Sequence, residues 1–340
     1  MKVTAFTFIL TFMYGLSSYA QVSDFDHISF RKADSVALSY KGMSLEDMPK
    51  LSGKLVGNLN TDVEKFRAIF MWTCTNIAND YDLFQKHKRK RERFIDDSLK
   101  LAKWNEELNV ILFENLLERQ KTICTGYAYV IKQLSKFAGI RCRIIDGFAR
   151  ASTLSVDELM IPNHSWNAIF LDGKWYLCDA TWASGVAHPK SGRFKFEFND
   201  GFFLTEPELF IKNHYPVDVK WTLLSDNIPS LEDFMEGPLI YNKAYKIIAR
   251  HDAPERMHNT VITNQKITFK YQLQENIDIE EVTLLIDNGI ESNSVKRTPK
   301  KDADNMMTVD YQFKKTGFYD VHLLINDDYI STCTYQVSAR

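Results

Sequence analysis

Apolar positions along the chain change period at about residue 140. Between residues 62 and 79 (DVEKFRAIFMWTCTNIAN), Val63, Phe66, Ile69, Phe70, Cys74 and Ile77 recur at steps of three and four. That spacing predicts a helix with one buried face, opened by Thr61 or Asp62 as cap. Residues 105–119 repeat the period through Leu108, Ile111, Leu112 and Leu116. Ala128, Ile131, Leu134 and Phe137 mark a third helix, and Gly139 followed by apolar Ile140 stops it. Beyond that glycine the texture becomes that of strands, in RCRIIDGFAR and then in HSWNAIFLDGKWYLCDATW. Asp172-Gly173 between two apolar runs predicts a two-residue hairpin. Residues 226–258 carry Pro229, Pro238 and Pro254 with weak periodicity, and are expected as a connector with some helix. From 259 onward alternation dominates, as in Ile267, Phe269, Tyr271 and Leu273. About six short strands in roughly 80 residues predict a β-sandwich.

The first residues read MKVTAFTFILTFMYGLSSYAQ. Lys2 supplies a charged start, Ala5 to Leu16 is uncharged and mostly apolar, and Ser18 and Ala20 are small. This is a signal-peptide pattern with cleavage expected after Ala20. The run is shorter than the roughly 20 residues that span a bilayer. The mature protein is therefore expected to be secreted or periplasmic, without a transmembrane anchor. Five cysteines remain (Cys74, Cys124, Cys142, Cys178 and Cys333), with no CxxC pair to suggest a zinc or redox site. An odd number leaves at least one thiol without an intrachain partner.

Length and charge narrow the classes further. A chain of 340 residues suggests about two domains, and 42 basic against 44 acidic residues is not the balance of a nucleic-acid binder. The basic run KHKRKRER at 86–93 is expected as a solvated insertion between two helices, because no aromatic residue interleaves its charges. No metal cluster emerges, and no cofactor is expected.

The candidate chemistry begins with Cys124 near the start of the third helix. With Thr122 as cap, Cys124 falls in the first turn, where unpaired backbone N–H groups and the helix dipole favour a thiolate. The hairpin then places Leu171 opposite Lys174 and Asp179 opposite Trp166. His164, Trp166, Ala168 and Phe170 share a face with Trp175, Leu177 and Asp179. His164 and Asp179 become diagonal neighbours at the end of an apolar face, and Cys178 points away. A base held by a carboxylate and facing a helix-terminal thiol has the logic of nucleophilic catalysis. His188 and His214 are further candidates for the cleft.

The order Cys, NHSWN, DATW resembles the transglutaminase-like fold, a permuted relative of papain-type cysteine peptidases. RQKTICTGYAYV, NHSWNAIFLDGKWYLCDATW and GFFLTEPELFIKNHYPVDVKWTLL resemble its kyphoscoliosis-peptidase branch, over roughly residues 60–225. The resemblance implies a catalytic triad of Cys124, His164 and Asp179, with Trp166, Trp182 and Tyr127 as substrate-pocket residues. Thr122 stands where many relatives have Gly. In the C-terminal part TGFYDVHLL resembles the strand-F corner of an immunoglobulin-like domain, with Tyr319 as corner tyrosine.

The expected organisation is a signal peptide (1–20), an N-terminal helical or extended segment (21–60), and an α+β transglutaminase-like domain (61–225) with helices on an antiparallel sheet. A connector (226–258) and an immunoglobulin-like β-sandwich (259–340) complete it. The expected function is cysteine acyl transfer on protein or peptide amides, with peptidase or amidase chemistry favoured over cross-linking. The alternative is a catalytically silent binding or assembly module. A protein or peptide substrate is expected, with the sandwich as a docking surface for a protein partner and no nucleic acid.

Overall fold

The computed structural model describes residues 22–150, 161–188, 190–275 and 277–340. The expected signal peptide lies outside them. Three helices come first: α1 (Arg31–Ser39), α2 (Met48–Val56) and α3 (Asp62–Asn76). Thr61 caps α3 in a reciprocal box with Glu64, as its sequence position suggests. The apolar stripe from Val63 to Cys74 is buried. Arg67 is buried beside it, paired with Asp34 of α1 at 2.6 Å and with Asp200.

A short strand β1 (Ala78–Asn79) leads to α4 (Tyr81–Arg93), α5 (Ser98–Arg119), β2 (Lys121–Thr122) and α6 (Cys124–Phe137). β1 and β2 pair in parallel, with Asn79 beside Thr122. The basic run is not an insertion between helices; it is the body of α4. Asp80 caps this helix, Leu83 is buried, and Lys86 and Lys90 each lie 5.3 Å from the Trp104 ring of α5. Long basic side chains here cover apolar surface with their stems. α6 ends as expected, with Gly139 at φ 78° and the Ile140 amide donating to the Ser135 carbonyl.

Four antiparallel strands form the central sheet: β3 (Cys142–Ala149), β4 (His164–Leu171) and β5 (Lys174–Cys178), then, after a helix α7 (Ala180–Ser184) and a hairpin β6 (Gly185–Ala187) and β7 (Phe194–Phe196), β8 (His214–Pro216). The order is β5-β4-β3-β8. Asp172 and Gly173 both have positive φ, 43° and 87°, which suits a tight turn matched to strand twist. Leu171 faces Lys174 as expected, and the ladder runs to Asn167 opposite Cys178. Both faces of β4 are covered, since α6 lies on the second, where Asn167 Nδ2 donates to the Ala128 carbonyl at 3.0 Å.

The remainder is all-β apart from short helical turns. Its strands are β9 (Leu239–Ile240), β10 (Ile248–Ala253), β11 (His258–Ile262), β12 (Lys266–Leu273), β13 (Val282–Asp287), β14 (Ser292–Arg297), β15 (Lys300–Lys301), β16 (Met306–Gln312), β17 (Gly317–Ile325) and β18 (Asp328–Ser338). One sheet has the order β10-β12-β16-β15; the other is β11-β18-β17-β13-β14, with β9 also on β18. The stretch read as connector therefore supplies two strands. Arg250, His251 and Asp252 interrupt the apolar alternation of β10 and hide it. The Tyr319 hydroxyl donates to the Lys315 and Thr316 carbonyls at 3.3 and 3.4 Å, the contact of a tyrosine corner. Buried apolar side chains form one cluster from Phe66 and Phe70 to Phe269 and Leu323. Among the described residues no helix is long and apolar enough to cross a membrane.

Candidate active site

Cys124 is the first helical residue of α6. The residue before it, Ile123, is extended and caps with no side chain, so Thr122 is not the cap. Thr122 instead belongs to β2, and its buried hydroxyl has no hydrogen-bond partner among the described residues. A Cβ at position 126 would lie 1.9 Å from that hydroxyl, so Gly126 is what lets the helix close over β2. At the first helical position the Cys124 amide has no carbonyl of its own helix to bond.

His164 opens β4, opposite Gly147 of β3. Its Nε2 lies 2.7 Å from Asp179 Oδ2. Asp179 does not continue the ladder to face Trp166, as the hairpin register alone predicts. Pairing stops one step earlier, because the Asp179 amide donates to the Phe202 carbonyl and its side chain caps α7. Oδ1 accepts from the Thr181 and Trp182 amides at 2.8 and 3.2 Å. Oδ2 takes a second contact, His214 Nε2 at 3.0 Å. Gly147 makes room for β8, which carries His214: a Cβ there would lie 2.3 Å from the Tyr215 carbonyl oxygen.

The charges follow from these contacts. Burial pushes the Cys124 thiol up, but its hydrogen bond to His164, the His164 charge and a bond from the Ser165 amide outweigh burial and hold it below its ordinary value. Burial pushes His164 down, yet the Asp179 charge and hydrogen bond, with Cys124, raise it to about 10. Asp179 is driven below the usual carboxylate range against its own burial by His164 and His214. His214 falls to about 4 through burial, with the His164 charge adding to it, and stays neutral. Both shifts run in the direction that favours a thiolate–imidazolium pair backed by a carboxylate. With Nε2 held by Asp179, Nδ1 is the ring nitrogen left for the thiol.

A cavity of about 460 Å³ opens over Cys124 and His164. Trp182 lines it; Trp166 and Tyr127 do not. Trp166 is buried between Phe210 and His214, and the Tyr127 hydroxyl donates to the Ile77 carbonyl at 2.7 Å, pinning α6 to the end of α3. His214 is buried behind Asp179, and His188 is exposed in the turn between β6 and β7. Asn79 and Arg91 do line the cavity. Sequence spacing gave no sign of Asn79; its position one strand pair from Thr122 does.

The ligating atoms of His164, Asp179 and His214 lie within 4.8 Å of one another, a grouping of metal-ligand type. Here both imidazoles hydrogen-bond to one carboxylate oxygen, and the other oxygen is filled by amides. A cation would have to displace those contacts in a site with no exposed side chain. The donor set fits a proton-holding triad better than a metal.

Residues 49–180 match the family model of the transglutaminase-like superfamily. Kyphoscoliosis peptidase of Homo sapiens is 30% identical over 197 residues, covering 57% of this chain and 27% of that protein. Hillarin of Drosophila melanogaster is 27% identical over 255 residues, covering 70% of this chain and 28% of that protein. The chain thus spans about a quarter of the length of these curated relatives. Among solved structures, the Lin-41 filamin domain is 15% identical with a TM-score of 0.20, covering 23% of this chain and 82% of that one. The M1 domain from titin is 14% identical with a TM-score of 0.15, covering 24% and 88%. The chain carries a transglutaminase-like domain, similar in sequence to kyphoscoliosis peptidase, followed by an all-β region.

Proposed function

We propose that this transglutaminase-like domain is an exported cysteine acyl-transfer enzyme acting on protein or peptide amides, with hydrolysis favoured over cross-linking. One observation carries the reading: Cys124, the first residue of a helix, lines one open cavity together with His164, whose ring is anchored on Asp179 at 2.7 Å. In the proposed reaction the Cys124 thiolate attacks the amide carbonyl carbon. The developing oxyanion is met by the Cys124 amide and by the side chain of Asn79. His164 gives its proton to the departing amine as the C–N bond breaks, leaving a thioester. Water or a second amine then attacks the thioester, His164 takes the proton, and the thiol is released. Asp179 holds the imidazole in one orientation throughout. Export rests on the sequence of residues 1–20, and N-terminal sequencing of the secreted protein should begin at Gln21.

The test is the rate of Cys124 alkylation against pH, beside His164→Ala. An ordinary thiol titrates near about 8.5. Reaction that persists well below that pH and is lost in the variant is the expected result. A profile near 8.5 that the variant leaves unchanged overturns the proposal and leaves a silent binding module. Adding excess amine to a trapped acyl-enzyme separates the two acceptors: an amine-linked product would exclude a strict hydrolase.

A further inference from the structure

The basic run of α4 has two faces. Lys86 and Lys90 cover Trp104, whereas Tyr81, Phe84, Lys88 and Arg91, at steps of three and four, line the cavity over Cys124. Arg91 is the half-buried cation of that inner face. One of its N–H groups donates to the Ile161 carbonyl at 2.8 Å. No carboxylate lies at ion-pair distance from it among the described residues. The negative groups that act on it are the Cys124 sulfur and Glu92. A guanidinium has five N–H donors, and among the described residues only one of these has a protein partner. A cation drawn out of water without a counter-ion is costly, and the neighbouring wall of Phe84, Ile95, Ile123 and Val186 offers it nothing. Such a group is prepared for an anion that arrives with the substrate.

We propose that Arg91 recognises a carboxylate on the substrate, so that the enzyme acts on amides close to an acidic side chain or to a free C-terminal carboxylate. This rests on Cys124 being the nucleophile, and the test separates the two claims. Cys124 is alkylated with iodoacetate and with iodoacetamide, and each rate is read on the Cys124 peptide by mass spectrometry. In both cases the thiolate displaces iodide from the same carbon, so the ratio of rates cancels any change in thiol ionisation. Arg91→Gln should lower the iodoacetate-to-iodoacetamide ratio about tenfold, and Arg91→Lys should keep most of it. An unchanged ratio in Arg91→Gln overturns the proposal while leaving the nucleophile intact. An iodoacetamide profile like that of an ordinary thiol would instead sink the enzyme reading, and the ratio would still report the anion site. Near-UV circular dichroism establishes that each variant is folded.

Three peptides then identify the source of the carboxylate, by protecting Cys124 from iodoacetamide. One carries an internal Glu and an amidated C-terminus, one carries Gln and a free C-terminus, and one carries Gln and an amidated C-terminus. Protection by the first assigns a side chain, and by the second a chain end. Equal protection by all three, or by none, overturns the assignment to Arg91.

Discussion

His214 shows how one buried side chain sets the behaviour of another. It sits against Phe210, with ring centroids 4.0 Å apart, and gives Asp179 Oδ2 a second donor. Asp179 thus has every contact direction filled by an N–H group, which fixes its charge and aim. Asp179→Asn should cut Cys124 alkylation at neutral pH at least tenfold, because the imidazolium loses its counter-charge; His214→Phe should cut it by a smaller factor. A second consequence concerns stability. His214 is held neutral to about pH 4 in the fold, whereas an unfolded histidine protonates near 6.5. Between those values the unfolded chain binds more protons, so stability falls as pH drops from about 6.5 to 4. His251, lowered to about 3 chiefly by burial, adds in the same direction. Urea midpoints should decline through this range, and His214→Phe should flatten the slope; a slope unchanged by that variant would count against His214 as its source.

At the scale of elements, the sequence was legible where local chemistry dictates geometry. The Asp172-Gly173 turn alone set the β4–β5 register, and that register brought His164 and Asp179 close. It failed by one pair at Asp179, because capping α7 is a tertiary event that alternation cannot encode. It failed again on α4, where the cavity side and the solvent side carry the same residue type. The entry to α6 departs from the sequence expectation for a related reason: Thr122 has capping chemistry but is committed to the β1–β2 pair. That entry supports a double-mutant prediction. Gly126→Ala should destabilise the protein by roughly 1–3 kcal/mol and slow Cys124 alkylation, since overpacking here moves the helix start. Thr122→Gly should rescue it. Thr122→Ala should not, because the Thr122 Cβ would still lie 2.8 Å from the new methyl. Equal rescue by both would show that the hydroxyl alone is in conflict.

The whole molecule is joined more closely than a two-domain reading of the sequence suggests. Phe202 stacks on Tyr245 with centroids 4.3 Å apart, and Asn213 Nδ2 donates to the Ile240 carbonyl at 3.0 Å. With one apolar cluster running through both parts, calorimetry should give a single unfolding transition. Phe269→Ala, in the all-β part, should cost about 3–5 kcal/mol and lower the temperature at which Cys124 loses its enhanced reactivity. Two separated transitions would contradict this coupling. The join has a mechanical side as well. Ile240 and Tyr241 form part of the cavity wall, and they are fastened to β18: the Tyr241 amide donates to the Ile330 carbonyl at 3.0 Å, and its hydroxyl meets Thr332 Oγ1 at 2.9 Å. The cavity wall at Ile240 and Tyr241 is thereby continuous, through paired backbone, with the longest strand of the all-β part, so a load applied to β18 would reach the mouth of the cleft without crossing a flexible linker.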